Sequence, residues 1–185
     1  MEAVRTLEAL ESAFAQADPA PTDSGTVEMI ICRPAHGERD ELDSTTLDPE
    51  KGMIGDNWLT RGSRHTEDGS ANPEAQITLM NSRIIALLAK DRDDWAPAGD
   101  QFFVDFDLSQ INMPTGQRFQ LGEAILEVSA TPHTGCAKFT ERYGSAAIRF
   151  VNSKEGRSQN RRGINAKIIT GGTVKKGDTI HKLED

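Results

Sequence analysis

Cysteine is scarce in this chain: there are two among 185 residues, Cys32 inside an apolar run and Cys136 in a polar turn. That supply gives no disulfide framework and no CxxC pair for structural zinc, and the two thiols read as reduced and cytoplasmic. Long apolar runs are missing as well. None approaches the ~18 residues of a membrane span, and the opening Met-Glu-Ala-Val-Arg-Thr-Leu-Glu lacks the basic and apolar regions of a secretory signal. A soluble protein with no membrane partner is expected. The four histidines, at 36, 65, 133 and 181, show no i, i+4 pairing for a zinc site. No Gly-x-Ser-x-Gly elbow supports a serine hydrolase, and Gly52-Met-Ile-Gly55 lacks the third glycine and the βαβ setting of a dinucleotide loop. Positive charge is outnumbered, with Lys+Arg 21 against Asp+Glu 29, and a net charge of −8 argues against general nucleic-acid binding.

That charge is unevenly distributed. Residues 1–130 hold 10 Lys and Arg against 24 Asp and Glu, whereas residues 131–185 hold 11 against 5. The basic end contains Cys136, so the candidate thiol and a candidate anion site share one segment. Arg157, Arg161, Arg162 and Lys167 precede and enter a strand there, where guanidinium forks suit phosphate or carboxylate. Ordinary solvation of a basic face is the alternative.

The length suits one domain with a full core and an appended helix. Val4, Leu7, Leu10 and Phe14 mark one helix face between about residues 2 and 17, ended by Asp18-Pro-Ala-Pro. This helix is expected to dock on the domain or on a partner subunit. Val27 to Cys32 reads as the first strand, residues 33–44 as a charged loop, and residues 60–75 as a polar surface loop. Gln76 to Met80 is a strand, Asn81 an N-cap, and Ile84, Ile85, Leu87 and Leu88 a short helix. Short strands follow at 102–106, 118–121, 124–129, 163–169 and 179–183, separated by glycine turns. Many short strands with few helices predict a curled antiparallel or mixed sheet, or a barrel.

The run Ala124 to Ser129 alternates as a strand, Pro132 stops it, and Phe139, Tyr143, Ala146 and Phe150 recur at helical spacing. Cys136 is thereby placed between strand end and helix start. Unpaired amide N–H groups and Lys138 favour negative charge there, which suits a nucleophile or a soft-metal ligand. A small buried residue packing under the helix is the alternative.

Several motifs together resemble one family. Gly52-x-x-Gly55-Asp56, Gln76-Ile-Thr-Leu-Met-Asn, Gly99-Asp100 and Leu108-Ser-x-x-Asn112-x-Pro114-x-Gly116 come first. Leu121-Gly122, His133-x-Gly135-Cys136-x-Lys138-Phe139 and Val174-x-x-Gly177-Asp178 complete the set. In this order and spacing they look like the MOSC domain, named for the C-terminal domain of molybdenum-cofactor sulfurases, and closest to its small stand-alone bacterial members. Asp100-Gln101 stands where an acid-Asn pair is usual, and His133-Thr-Gly-Cys136 where other members have Arg-x-Pro-Cys.

The resemblance implies a mixed, mainly β fold, a small barrel with a few short helices. Residues 1–25 would form the added helix and linker, and residues 26–185 the MOSC domain. It further implies molybdenum cofactor (molybdopterin), with Cys136 carrying sulfur or ligating the metal. Lys138, Arg161, Arg162 and Asn112 would bind cofactor, and His133 and Asp56 would handle protons. The large sulfurases carry a separate pyridoxal-phosphate domain for which this chain has no room, so pyridoxal phosphate and desulfurase activity are not expected. The implied function is reduction of N-hydroxylated small molecules, amidoximes or N-hydroxylated bases, with electrons from a partner protein. The alternative is a sulfur (persulfide) or cofactor carrier served by a sulfur-donor protein.

Overall fold

The computed structural model describes residues 6–184. Helix α1 (Leu7–Gln16) starts at Thr6, whose side chain accepts a hydrogen bond from the Ala9 amide, and ends ahead of Pro19. Val4, which the spacing assigns to the same helix, lies outside the described residues. The chain continues through β1 (Ser24–Cys32), β2 (Asp40–Leu42), β3 (Ser44–Asp48), β4 (Gly52–Met53) and the single turn α2 (Trp58–Arg61). Strand β5 (Ile77–Asn81) runs directly into α3 (Ser82–Leu88), with Asn81 accepting from the Arg83 amide as the expected N-cap. Next come β6 (Phe102–Asp105), β7 (Arg118–Leu121) and β8 (Ala124–Val128). The remaining elements are α4 (Ala137–Asn152), α5 (Lys154–Ser158), β9 (Ile164–Thr170), β10 (Gly172–Lys175) and β11 (Thr179–Lys182).

Seven strands close into a barrel in the order β1-β11-β7-β8-β9-β5-β6, with β6 returning to β1. A ring with an odd number of strands cannot alternate direction all the way round. One neighbouring pair must be parallel, and that pair is β5 and β6. The expected mainly β barrel is therefore present. Strand β2 hangs on the end of β1, and β10, β3 and β4 form a separate small sheet.

Alternation along the strands sorts the core into two layers. Ile77, Leu79, Phe102, Val104, Phe119 and Leu126 fill the barrel. Met80 and Phe103 point outward under the helices with Leu10, Ile85, Phe139 and Phe150. On β1 the register shifts between Val27 and Met29, so Glu28 is a bulge. That extra residue switches parity: Val27 faces the interior before it, and Ile30 and Cys32 do so after it. Strand β5 is buried along its whole length, Thr78 and Asn81 included, so alternation of burial does not mark it out.

Two expectations are corrected. Residues 33–44, read as a loop, contribute β2, the glycine turn at Gly52 contributes β4, and β3 and β10 lie largely in stretches assigned to no element; these strands are two to five residues long, and β2, β3 and β10 carry exposed polar residues. Helix α4 is not continuous, because Gly144 has φ 86° and ψ 172° and splits it into two short arms.

Candidate functional site

The connection from β8 to α4 carries the sequence motif, and the fold holds it at two points. Asn152, at the far end of α4, accepts from the Gly135 amide (2.9 Å) and donates to the Gly135 carbonyl (3.1 Å). This amide clamp satisfies both backbone groups of the residue before Cys136. A Cβ at Gly135 would stand 3.2 Å from both Ile148 and Val151, so the peptide lies directly on the helix. Upstream, His133 Nε2 stands 3.0 Å from Asp100 Oδ1, though the two atoms do not align into a full hydrogen bond. Asp100 is completely buried, and its other oxygen accepts from Arg162 Nη1 at 2.6 Å. Arg162 also donates to the Ala98 carbonyl and lies over the Phe139 ring.

Charge follows from this packing. Burial pushes the Asp100 carboxyl up, but Arg162 and then His133 outweigh it and hold it below the ordinary carboxylate range. Burial and the Arg162 charge hold the His133 ring below its ordinary value, against the pull of Asp100. The knot is thus a neutral imidazole beside a closed Asp–Arg pair.

Cys136 is the N-cap of α4, exposed, with no capping hydrogen bond from its side chain. The helix arm behind it is short because of the Gly144 break, so its dipole is that of about two turns. Two residues on, Lys138 Nζ lies 3.1 Å from His36 Nε2, which brings the 33–39 loop against the start of α4. On that side the fold gathers like charges. Burial lowers the Arg39 pKa, and the neighbouring Arg33, Arg142 and Arg61 lower it further. Arg61 is lowered by burial and by Arg33 in the same way. Asp56 offers counter-charge, but Arg33 has claimed it, with Nε to Oδ2 at 2.8 Å and Nη2 to Oδ1 at 2.9 Å. The buried Arg39 Nε has no hydrogen-bond partner among the described residues. Positive groups held together at this cost, with an orphaned donor, fit an anionic group such as a pterin phosphate.

Three candidate residues are committed elsewhere. The Asp56 side chain is fully buried and accepts four hydrogen bonds, from the Arg33 amide, Nε and Nη2 and from the Trp58 amide, so it locks β1 to the turn before α2 and has no capacity left for proton handling. Asn112 donates to the Thr22 and Asp107 carbonyls and accepts from Lys182 Nζ, tying a loop to β11 away from Cys136. Arg161 pairs with Glu11 at 2.8 Å and 3.0 Å and sits between the Phe14 and Phe150 rings. It anchors α1 in place of a ligand. Arg162 stays beside His133 but spends its charge on Asp100. Sequence reasoning quoted Asp100 as part of a motif without giving it a role, and passed over Asn152, Arg33, Arg39, Arg61 and Arg142. Gly99-Asp100 before an apolar strand was a signal for a buried acid; the scattered arginines offered none.

Among the described residues no helix is long and apolar enough to cross a membrane, and no three metal-ligating side chains cluster. The MOSC domain profile matches residues 66–181. Among solved structures, the YUAD protein from Bacillus subtilis has 18% identity and a TM-score of 0.62, over 87% of this chain and 97% of that one. YiiM from Escherichia coli has 16% identity and a TM-score of 0.56, over 86% of this chain and 70% of that one. YiiM from Geobacillus stearothermophilus has 11% identity and a TM-score of 0.54, over 90% and 76%. No curated protein matches the chain. Matched over more than half its length, and sharing its fold with these structures, the chain belongs to the MOSC domain family, which is associated with molybdenum cofactor binding.

Proposed function

We propose that this protein binds a molybdenum-pterin cofactor between the start of α4 and the 33–39 loop and reduces N-hydroxylated compounds, with electrons delivered by a partner protein. The observation that carries the reading is the exposed, uncommitted Cys136 thiol two residues from Lys138, beside arginines that lack enough counter-charge. Cys136 would ligate molybdenum, a thiolate being suited to a soft, sulfur-rich centre. Arg39, Arg61, Arg142 and Lys138 would hold the phosphate end. When bound, such a centre supplies two-electron chemistry at the metal.

The chain's own residues fix position and protons. Asn152 holds the peptide ahead of Cys136, so the sulfur points from a rigid loop. Conversion of a C=N–OH group to C=NH and water consumes two electrons and two protons. His133, kept neutral above its lowered pKa, is the proton-handling group of the loop, with Asp100 Oδ1 3.0 Å from its Nε2.

The test is metal and pterin content of protein from a cofactor-competent host, together with reduction of benzamidoxime by a reconstituted donor. Cys136→Ser is expected to keep pterin and lose turnover. Arg39→Gln with Arg61→Gln is expected to lose pterin, by about tenfold or more in affinity if each lost charge-assisted contact contributes roughly 1.5–3 kcal/mol. Full turnover in Cys136→Ser ends the metal–thiolate mechanism. A persulfide on Cys136 of metal-free protein, with no pterin bound, favours the carrier reading.

A further inference from the structure

On the other side of His133 from the basic cluster, the ends of β8 and β9, the 110–115 loop and the approach to α4 enclose a cleft of about 440 Å³. A volume of that order suits a small organic molecule. Its walls include Met113, Val128, Pro132, Val151 and Ile164, which present apolar surface. Gly163 shapes one side: it has φ 110°, and a Cβ there would come within 2.1 Å of the Leu79 carbonyl, so only glycine lets the chain turn into β9 at this depth.

The polar side of the cleft is one-signed. In a chain of net charge −8, none of its lining residues is an Asp or Glu, while Arg157, Arg162 and the neutral His133 line it. The Arg162 charge is cancelled from behind by Asp100. Arg157 has no such counter-ion among the described residues: its Nε donates to the Asn152 carbonyl at 3.1 Å, and its two Nη groups have no protein acceptor there. Ser129 and Arg162 in the wall are only 7% exposed, and their Oγ and Nε, unpartnered among the described residues, are closed off from solvent beneath the cleft surface. An apolar chamber with no acid in its lining and an unpaired guanidinium at its edge selects a ligand with an apolar body and an anionic head.

We propose that this cleft is a binding site for small organic carboxylates, whose apolar body packs on Met113, Val128, Val151 and Ile164 and whose carboxylate pairs with Arg157. The cleft shares His133 with the cofactor reading, but Cys136 and the Arg39 cluster do not line it, so carboxylate binding does not rest on that reading.

The test uses purified metal-free protein, methyl-labelled for NMR, titrated in parallel with benzoate, with the neutral isostere benzamide and with inorganic phosphate. Benzoate is expected to shift the methyls of Met113, Val128, Val151 and Ile164 saturably. Benzamide is expected to bind there at least fivefold more weakly, and phosphate not at all. Arg157→Gln, a change at an exposed side chain, should weaken benzoate fivefold or more and leave benzamide unaltered. Val151→Phe, which fills the cleft, should abolish both. Equal affinity for benzoate and benzamide, benzoate shifts confined to the surroundings of Arg39 and Lys138, or no saturable shift by about 20 mM would each overturn the proposal. Failure here leaves pterin content untouched, so the two readings fall separately.

Discussion

Asp56 is better understood as a bolt than as an acid. Its carboxylate is completely buried, and four donors saturate it. Removing it as Asp56→Ala strands Arg33, which is itself buried, and should cost about 3–5 kcal/mol of stability, the range for breaking one side of a buried pair. Urea denaturation measures this; a variant with native stability would return Asp56 to proton chemistry. His133 makes a different prediction, in pH. Its folded pKa is below the ordinary 6.5, so as pH falls through that value the unfolded chain takes a proton that the folded chain refuses. Stability should therefore decline below about pH 6.5. Asp100, held below the ordinary 3.8, adds a second decline under that pH, again because the unfolded chain protonates first. Unfolding free energy followed from pH 7 to 5 should show a slope in the wild type that flattens in His133→Gln. Parallel curves would mean the ring is not held neutral. Residue type and spacing made Cys136 legible as an exposed thiol at a helix start. Asp100 and Asn152 were not, because their roles depend on chain segments 33 and 17 residues away from the groups they hold.

Helix α1 looked like an appendage from its linker, yet it contributes to the barrel's outer layer. Leu10 is buried against α3 and α4, and Glu11 supplies the carboxylate for Arg161, which is itself only 3% exposed. Glu11→Ala leaves that guanidinium with Gln159 and the Phe150 carbonyl as acceptors, so the loss should be about 1–3 kcal/mol, the cost of under-satisfying one buried donor group. Thermal unfolding of this variant beside Glu8→Ala, a change on an exposed face, separates the pair from helix propensity. An equal, small effect in both would make α1 a loosely held add-on. Elements with a strong period were readable: β7 falls where alternation put it, and α3 starts at its Asn cap. The break in α4 was hidden because Phe139, Tyr143 and Phe150 keep helical spacing across Gly144 and all reach the same apolar layer. The short strands of the side sheet were hidden because two to five residues carry too little pattern to register.

At the scale of the molecule, summed charge was a poor guide and local charge a good one. The basic C-terminal third gave Arg161 and Arg162 to internal pairs and only Lys138 and Arg142 to the cluster at the start of α4, where the acidic remainder supplied Arg33, Arg39 and Arg61. The fold class survived this because it rests on strand count and turn chemistry, which charge does not alter. Barrel closure has a consequence in time. The seam that completes the ring joins Ser24 to His181 and Thr26 to Thr179, the first strand to the last. A chain emerging from the ribosome can form hairpins and the α3 region early, but it cannot shut the ring until the final strand is out. Topology of this kind makes for slow folding, because the longest loop must close before its contacts repay the entropy. The unclosed barrel meanwhile exposes β1 as an unpaired edge with a run of apolar residues, so nascent-chain protection, by a chaperone that covers strands, is most needed in the interval before residues 179–182 arrive.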